Sequence, residues 1–255
     1  MGGTRPAAPT RQHPVVPTGG SRRHRLEGWV EGLEWLLYEF EVANRSYEQA
    51  CSVARALDVL GDRWTLCVLR DLALGPLRFG ELLELEAGIG PNLLTQRIKQ
   101  LRARGLVYSE PLPYPAKGRG YALTALGHTV EPVLRALAAW GDRMPAEEGH
   151  RAHPDWAMRR LPERFQRASH PGTARIRLPA RAYVLEWTTA RLSVARKDTD
   201  RFDVEVEGSQ DALLAWLEGQ STAPWQARGR WRVQGDPASW STLEAACGLG
   251  QARSG

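Results

Sequence analysis

Cysteine and histidine are scarce in the sequence, and their spacing excludes several classes of site. The three cysteines, Cys51, Cys67 and Cys247, are odd in number and far apart, which indicates reduced thiols and no zinc-ligand pattern. Of six histidines, only His128 falls in a predicted regular helix, and no Ser/His/Asp or Cys/His arrangement follows from their spacing. A phosphate-cradling glycine loop is also missing. We therefore expect no enzymatic activity, catalytic residue, metal or cofactor.

Long apolar runs are missing as well. No stretch approaches the length of a membrane span, and the first residues lack the apolar core of a secretory signal. The 255 residues, 42% of them hydrophobic, suffice for two modest domains. These features predict a cytoplasmic protein with no membrane partner. A net charge of +5 fits a polyanionic partner without requiring one.

The first 44 residues divide by charge. Residues 1–25 hold five arginines, no acidic residue and no apolar periodicity, which predicts a disordered basic arm. Residues 26–43 hold five glutamates and no basic residue, with apolar positions on one helical face, which predicts an acidic amphipathic helix. Two interpretations of this helix stay open. It packs on the rest of the chain or on a dimer partner, or the start codon is assigned too early and the native protein begins nearer Val42.

Residues 45–147 have the pattern of a compact helical domain. The segment from Ser46 to Gln49 has the form of a capping box for a first helix that ends at Gly61. Asp62 is placed to cap a second helix. A shorter amphipathic helix and a glycine-containing loop then lead into a further helix, which is the order of a helix-turn-helix DNA-binding module.

This further helix, which Pro91 begins and Gly105 ends, has two distinct faces. Leu94, Ile98 and Leu101 recur at the spacing of one buried face. The residues left pointing outward are Asn92, Thr95, Gln96, Lys99 and Arg102. Asn and Gln can pair with adenine edges, Arg and Lys with guanine edges or phosphates, and Thr with a phosphate or a thymine methyl. This composition predicts a major-groove reading helix; the alternative is an ordinary solvated face.

Two short strands at 106–108 and 121–123 predict a hairpin beside that helix. Lys117 and Arg119 lie in the predicted loop between these strands. A hairpin with a basic tip in this position is a wing that reaches phosphate or the minor groove. Residues 91–120 hold six basic residues against one acidic residue, so positive charge is concentrated on the proposed DNA face.

A final helix over residues 125–144 has a wider apolar face than a single small domain needs. That face comprises Val130, Val133, Leu134, Leu137 and Trp140. Together with the first helix it predicts a homodimer surface. Two-fold symmetry would place two reading helices about 34 Å apart, facing a pseudopalindromic site on double-stranded DNA.

The motifs Gly61-Asp-Arg-Trp64, Arg78-Phe-Gly-Glu-Leu82 and Asn92-Leu-Leu94 give residues 45–144 a specific resemblance to the HxlR-type winged-helix transcriptional regulators. The resemblance implies cytoplasmic homodimers that bind operators, often as repressors, with the dimer made by the first and last helices. By position, Asn92, Thr95, Gln96 and Lys99 match the base-facing part of the family's recognition helix, and Lys117 and Arg119 match its wing.

Cys51 resembles the N-terminal cysteine with which some members of that family sense oxidants or electrophiles. Ser52 follows it, where the family often has proline. A sensing thiol needs a low pKa and solvent access, and the sequence shows neither. The alternative is a buried, inert cysteine, which is the prediction for Cys67 on its apolar helix face.

Residues 148–250 follow a different pattern, and residues 251–255 are a predicted tail. Alternating apolar and polar residues predict strands at 174–178, 183–187, 191–194, 202–206 and 230–233. Ser209 and the pair Asp236-Pro237 begin helices. The predicted fold class is therefore α+β, with a winged helix-turn-helix domain followed by an antiparallel sheet that has helices on one side.

This order of elements, together with the segment from Gly229 to Pro237, resembles the sterol-carrier-protein-like fold over about residues 154–249. The resemblance implies a hydrophobic tunnel for a lipid or another apolar small molecule. The tryptophans that would line it are Trp187, Trp216, Trp225, Trp231 and Trp240. For each of them the alternative is the core of a small sheet.

These observations predict a homodimeric DNA-binding transcriptional regulator, and a repressor in preference to an activator. An apolar ligand is predicted to modulate its operator occupancy through linkage. The alternative is a lipid-binding or assembly protein in which the winged helix serves as a dimerisation scaffold. Sequence preference in DNA binding separates the two, because phosphate contacts alone give only salt dependence. A third interpretation, an accessory domain of an acyl-transfer enzyme, needs a catalytic group that the sequence does not offer.

Overall fold

The computed structural model describes residues 46–112, 118–145, 149 and 152–249. The predicted basic arm and acidic helix, the wing loop with Lys117, and the predicted tail lie outside the described residues. Among the described helices, none is both long and apolar enough to cross a bilayer. The chain divides into two compact units, residues 1–59 and 60–255. The domain boundary predicted between residues 147 and 148 falls inside the second unit and stays a prediction.

The described part of the first unit, residues 46–59, consists of a helix, α1 (Ser52–Leu60), without its last residue, and the segment that leads to it. The capping box predicted at Ser46 is wrong. The Ser46 hydroxyl donates to Asp58 Oδ2 at 3.0 Å, and the backbone N–H of Tyr47 donates to Asp58 Oδ1 at 2.8 Å. With the Ser46 side chain engaged by Asp58, the helix begins only at Ser52.

The second unit opens with a winged helix-turn-helix arrangement. Its elements are α2 (Thr65–Leu72), α3 (Phe79–Leu85), α4 (Pro91–Ala103), β1 (Val107–Leu112), β2 (Gly118–Leu123), α5 (Ala125–His128) and α6 (Glu131–Gly141). Helix α4 begins at Pro91 as predicted, and Gly105 follows it with a left-handed φ of 70°. Strands β1 and β2 pair antiparallel. Leu77 extends this hairpin, since its backbone and that of Tyr121 exchange hydrogen bonds of 2.8 and 3.0 Å.

The final helix of this arrangement, predicted to be continuous over 125–144, is broken into α5 and α6. Pro132 lies in the first turn of α6 and has no N–H to donate to a preceding helical turn. The Thr124 hydroxyl caps α5 by accepting from the backbone N–H of Gly127 at 3.0 Å. Gly127 has no room for a side chain, because a Cβ there would lie 2.2 Å from the Leu106 carbonyl oxygen.

The C-terminal module, residues 152–249, follows in the same unit. Its elements are α7 (Pro154–Arg164), β3 (Gly172–Leu178), β4 (Arg181–Trp187), β5 (Leu192–Ala195), β6 (Val204–Gly208), α8 (Gln210–Leu217), α9 (Ala223–Gln226), β7 (Trp231–Gly235) and α10 (Pro237–Cys247). The predicted helix starts are confirmed. Ser209 accepts from the backbone N–H of Ala212, and Asp236 accepts from those of Ala238 and Ser239.

The sheet of this module is mixed, so the prediction of an antiparallel sheet is wrong. Its strand order is β5-β4-β3-β6-β7, and β6 runs parallel to β3. The reason is residues 196–203, which carry the chain from β5 across the sheet to the far side of β3. Arg175 anchors this crossing by donating to the Thr199 carbonyl at 2.6 Å and by stacking over the Phe202 ring at 4.1 Å.

Helices α7, α8 and α10 cover one face of the sheet, as predicted, and the core lies between them and alternate residues of the strands. Three tryptophans form its centre. The ring of Trp216 stacks on Trp240 with centroids 5.0 Å apart and lies 6.1 Å from Trp231. The Trp216 indole N–H donates to Glu244 Oε1 at 2.9 Å. Aromatic rings therefore fill the centre of this core together with aliphatic side chains.

Candidate nucleic-acid interface

The outward face of α4 is polar and solvent-exposed, as the sequence predicts. Its exposed members are Asn92, Thr95, Gln96, Lys99 and Arg102, and its buried members are Leu94, Ile98 and Leu101. The Thr95 hydroxyl donates back to the Pro91 carbonyl at 2.8 Å. Within the described residues, no hydrogen bond or ion pair involves the other four exposed side chains. Their donors and acceptors are therefore available to a partner.

Arg97, on the other side of α4, ties this helix to the turn before α2. Its Nη1 contacts Asp62 Oδ2 at 2.9 Å and Gln100 Oε1 at 2.7 Å, and its Nε donates to the Arg63 carbonyl at 3.1 Å. The prediction that Asp62 caps α2 is wrong, because Trp64 occupies the cap position with a φ of 76°. Only 11% of the Arg97 side chain is exposed. Arg97 thus positions α4 and does not belong to the charge on the outward face of that helix.

The wing is longer and more regular than predicted. Arg119 lies on strand β2 and not on the loop. Its Nε donates to Ser109 Oγ at 2.9 Å, and its Nη2 donates to the Ser109 carbonyl at 2.7 Å. Because Arg119 is exposed, these bonds hold a positive charge at a fixed place on the hairpin. Lys117, the other wing residue, lies outside the described residues.

The tryptophans predicted to line a ligand tunnel lie in or against the core of the C-terminal module. Trp187, Trp216, Trp231 and Trp240 are buried in the core of the C-terminal module, and Trp225 packs against that core partly buried. Trp187 also borders an open cavity of about 650 Å³ beside Gly172 and Asp203. The packing of these rings against one another is that of a structural core. Binding of an apolar ligand among them stays a prediction.

The exposure of Cys51 and the direction of its pKa shift are those expected of a sensing thiol. It is exposed, and hydrogen bonds from the backbone N–H groups of Ala54 and Val53 lower its pKa. Burial raises the pKa of Cys67, and it raises that of Cys247 to about 12. The role of Cys51 stays a prediction. Within the described residues, no group of three or more His, Cys, Asp or Glu side chains is arranged to hold a metal ion.

Sequence reasoning missed a buried polar cluster where the C-terminal module meets α2. The indole N–H of Trp156 donates to Asp71 Oδ1 at 3.0 Å. The Arg196 guanidinium donates to the Asp71 carbonyl at 3.0 Å, to the Gly75 carbonyl at 2.6 Å and to Asp155 Oδ2 at 2.8 Å. Asp71 and Asp155 are each 1% exposed. The cluster joins the two parts of this unit through hydrogen bonds between residues far apart in sequence.

Asp155 is the centre of this cluster. It also accepts from Arg181 Nη1 at 2.9 Å and from the Tyr183 hydroxyl. Burial alone would raise the pKa of Asp155, but Arg196, the Tyr183 hydroxyl and Arg181 outweigh it and hold the pKa below its ordinary value. The sequence signal was weak, since it consists of one acidic residue in the first turn of an amphipathic helix.

Known proteins match a little over a third of this chain. The model of the HxlR-like helix-turn-helix family matches residues 59–148. An HTH-type transcriptional regulator of Synechocystis sp. is 34% identical over 91 residues, which are 36% of this chain and 67% of that protein. Another, from Methanothermobacter thermautotrophicus, is 36% identical over 94 residues, which are 37% of this chain and 72% of that protein. The matched stretch is thus about two thirds of these relatives' length.

Among solved structures, the reduced form of the transcriptional regulator YodB from B. subtilis is 30% identical. That match covers 40% of this chain and 100% of YodB, with a TM-score of 0.34. The family match ends at residue 148, before the C-terminal module begins. Through residues 59–148, this chain belongs to the HxlR-like helix-turn-helix family of transcriptional regulators.

Proposed function

We propose that this protein is a homodimeric repressor that binds a pseudopalindromic operator in double-stranded DNA. The observation that carries the proposal is the exposed face of α4. Asn92 and Gln96 lie one helical turn apart. Each side-chain amide offers one hydrogen-bond donor and one acceptor, which together match the major-groove edge of adenine. Lys99 and Arg102 follow on the next turns and suit guanine edges or phosphates. The family membership supports DNA binding by this helix.

Replacing Gln96 with alanine should lower the preference for operator over random duplex about 5- to 150-fold, the range of one lost bidentate base contact. Lys117→Ala should instead weaken binding to all duplexes about equally, since a phosphate contact carries no sequence information. The measurement is a fluorescence anisotropy titration with a duplex from the gene's own upstream region and a shuffled duplex, at two salt concentrations. Gln234→Ala, on the exposed side of β7, is the matched control.

If Gln96→Ala and Lys117→Ala bind both duplexes as the wild type does, this face is not the DNA interface. Equal, salt-sensitive binding of both duplexes by the wild type would contradict the operator specificity. Absence of all DNA binding would favour the alternative, in which the winged helix is a dimerisation scaffold of a lipid-binding or assembly protein.

The dimer proposal is supported by a stripe of exposed apolar side chains on and just after α6. Val133, Leu137, Trp140 and Met144 follow one another at helical spacing, and 61% of Trp140 is exposed. Monomeric proteins rarely leave such a stripe uncovered. Helix α1 separately exposes Val53 and Leu57. A second copy of the chain is the natural cover for these faces, because a two-fold interface pairs each patch with itself.

Trp140→Glu should therefore raise the dimer dissociation constant about thirtyfold or more, the equivalent of losing a hot spot of about 2 kcal/mol. Light scattering coupled to size exclusion over a dilution series measures it. Tyr108→Glu, an exposed aromatic on the hairpin outside the stripe, serves as control for the oligomeric state. A variant that stays dimeric at the same dilutions as the wild type would place the interface elsewhere.

Modulation by an apolar ligand would act by linkage, because a ligand that favours one DNA-affinity state must shift operator occupancy. The order of elements in the C-terminal module supports its resemblance to sterol carriers. The packed tryptophans do not support a preformed tunnel among them. Redox sensing through Cys51 is compatible with its exposure and lowered pKa.

A further inference from the structure

A cavity of about 570 Å³ lies between the winged-helix part of the second unit and the C-terminal module. Leu74 and Arg135 come from the winged-helix side, after α2 and on α6. Arg159, Phe165 and Arg191 come from the other side, on α7, after it and before β5. Its volume is in the range of small-molecule sites. Both parts of the unit therefore contribute to one cavity.

Hydrogen bonds hold the walls of this cavity in place. Arg160 donates two of them to the Asp142 carboxylate, at 2.7 and 2.5 Å, and thereby ties α7 to the end of α6. The backbone N–H of Arg196 donates to the Leu74 carbonyl at 2.5 Å and ties the end of β5 to the residues after α2. The cavity is thus preformed, which lowers the free-energy cost of ligand binding.

The charges around the cavity favour an anion. Its carboxylates already have partners among the lining and neighbouring residues, since Glu131 contacts His128 at 2.6 Å and Glu163 contacts Arg160 at 3.6 Å. Arg159 Nε, by contrast, is buried and has no hydrogen-bond partner in the described part of the chain. Leaving such a donor unsatisfied is costly, and an anion in the cavity would satisfy it.

The charges around Arg159 agree with an anion site. Burial lowers its pKa, and the positive charges of Arg70 and Arg160 add to that effect against the carboxylates nearby. The same cavity is also lined by apolar side chains, namely those of Leu74, Phe165, Leu192 and Val194. The lining therefore combines cationic and apolar side chains.

We propose that this cavity binds an organic anion that carries an apolar body, with the anionic group on Arg159 and Arg191 and the body against Phe165 and Leu192. Helix α6 lines the cavity through Arg135 and also carries the proposed dimer stripe. Through α6, occupancy would be coupled to dimerisation and so to operator affinity. That consequence rests on the proposed function, whereas the binding itself does not.

The test is isothermal titration calorimetry of the full chain with 1-naphthoate, with neutral 1-naphthamide of the same shape, and with sulfate. We expect 1-naphthoate to bind at least about tenfold more tightly than either of the others, as a charge-assisted pair with apolar contacts requires. Arg159→Met and Arg191→Met should each weaken it at least about tenfold. Arg232→Met, an exposed arginine on β7, is the control and should leave binding unchanged.

The proposal is overturned if 1-naphthoate does not bind at millimolar concentration, if the amide or sulfate binds equally well, or if both arginine variants bind it like the wild type. Thermal melts verify that the variants are folded, and Arg191 lies in an exposed turn, so Arg191→Met keeps the test valid if Arg159→Met is unstable. Operator binding is measured separately. Anion binding without operator binding would contradict only the proposed function. Operator binding without anion binding would contradict only the anion site.

Discussion

Replacing Asp155 with alanine should lower the free energy of unfolding by about 3–5 kcal/mol, the usual loss when one partner of a buried ion pair is removed. The side chain is 1% exposed and receives hydrogen bonds from Arg196, Arg181 and the Tyr183 hydroxyl. Arg196 is itself buried, with 8% of its side chain exposed. The substitution would leave its guanidinium in the interior without a counter-charge.

Urea denaturation followed by tryptophan fluorescence measures this loss. The matched control is Asp142→Ala, which removes another Asp–Arg pair, that with Arg160, on the solvent-exposed surface. Its effect should be much smaller because water and salt screen an exposed pair. Equal unfolding midpoints for Asp155→Ala and Asp142→Ala would contradict the assignment of Asp155 as the centre of the cluster.

The same carboxylate predicts an acid dependence. Because the folded protein holds the pKa of Asp155 below its ordinary value, the carboxylate contributes stability that is present above about pH 3.9 and is lost as the pH falls through the folded pKa. Asp155→Asn removes this dependence, so the difference in stability between wild type and variant should shrink on acidification. A constant difference across that pH window would mean that the pKa of Asp155 is not depressed.

Replacing Trp216 with alanine should cost about 3–5 kcal/mol of unfolding free energy, as is usual for a large aromatic removed from a core. The ring is 1% exposed, stacks on Trp240, lies tilted beside Trp231, and donates to Glu244. The loss combines the buried surface, a cavity between the sheet and α8, and the hydrogen bond that the Glu244 carboxylate receives from Trp216. A tryptophan that lined an open ligand tunnel would lose far less, since one side of its ring would face empty space.

Trp140→Ala is the control for this second experiment, because it makes the same change at an exposed position. It should leave the unfolding of the monomer almost unchanged and should affect only the part of stability that depends on protein concentration through dimerisation. Denaturation at several protein concentrations separates the two contributions. Similar losses for Trp216→Ala and Trp140→Ala at all concentrations would contradict the core assignment.

Local signals in the sequence were sufficient to predict helix α4. Pro91, Gly105 and three leucine or isoleucine positions define its start, its end and its buried face, and each acts within one or two helical turns. The capping predictions failed where the predicted capping side chain instead contacts a residue far away in the sequence. Asp58 engages Ser46 and Arg97 engages Asp62, and neither pairing follows from local propensity.

The C-terminal sheet and the cavity illustrate a different limit. Alternation of apolar residues reports which face of a strand is buried and carries no information on strand direction, so the parallel pairing of β6 with β3 could not be predicted. The cavity brings together Leu74, Arg135, Arg159 and Arg191 from separate segments. Since their proximity depends on how the segments pack, no spacing in the sequence indicates an anion site.

Helix α2 is held at both ends by partners that come from different parts of the chain. Arg97 of α4 is bound to the turn before the first residue of α2. Trp156 and Arg196 of the C-terminal module are bound to Asp71, near the last residue of α2. The helix is eight residues long, or about 12 Å. One inserted residue would turn the two attachments by about 100° relative to each other and break one of them. The length of α2 is therefore fixed by its two attachments. Any relative that carries such a C-terminal module would have to keep the same length of this helix.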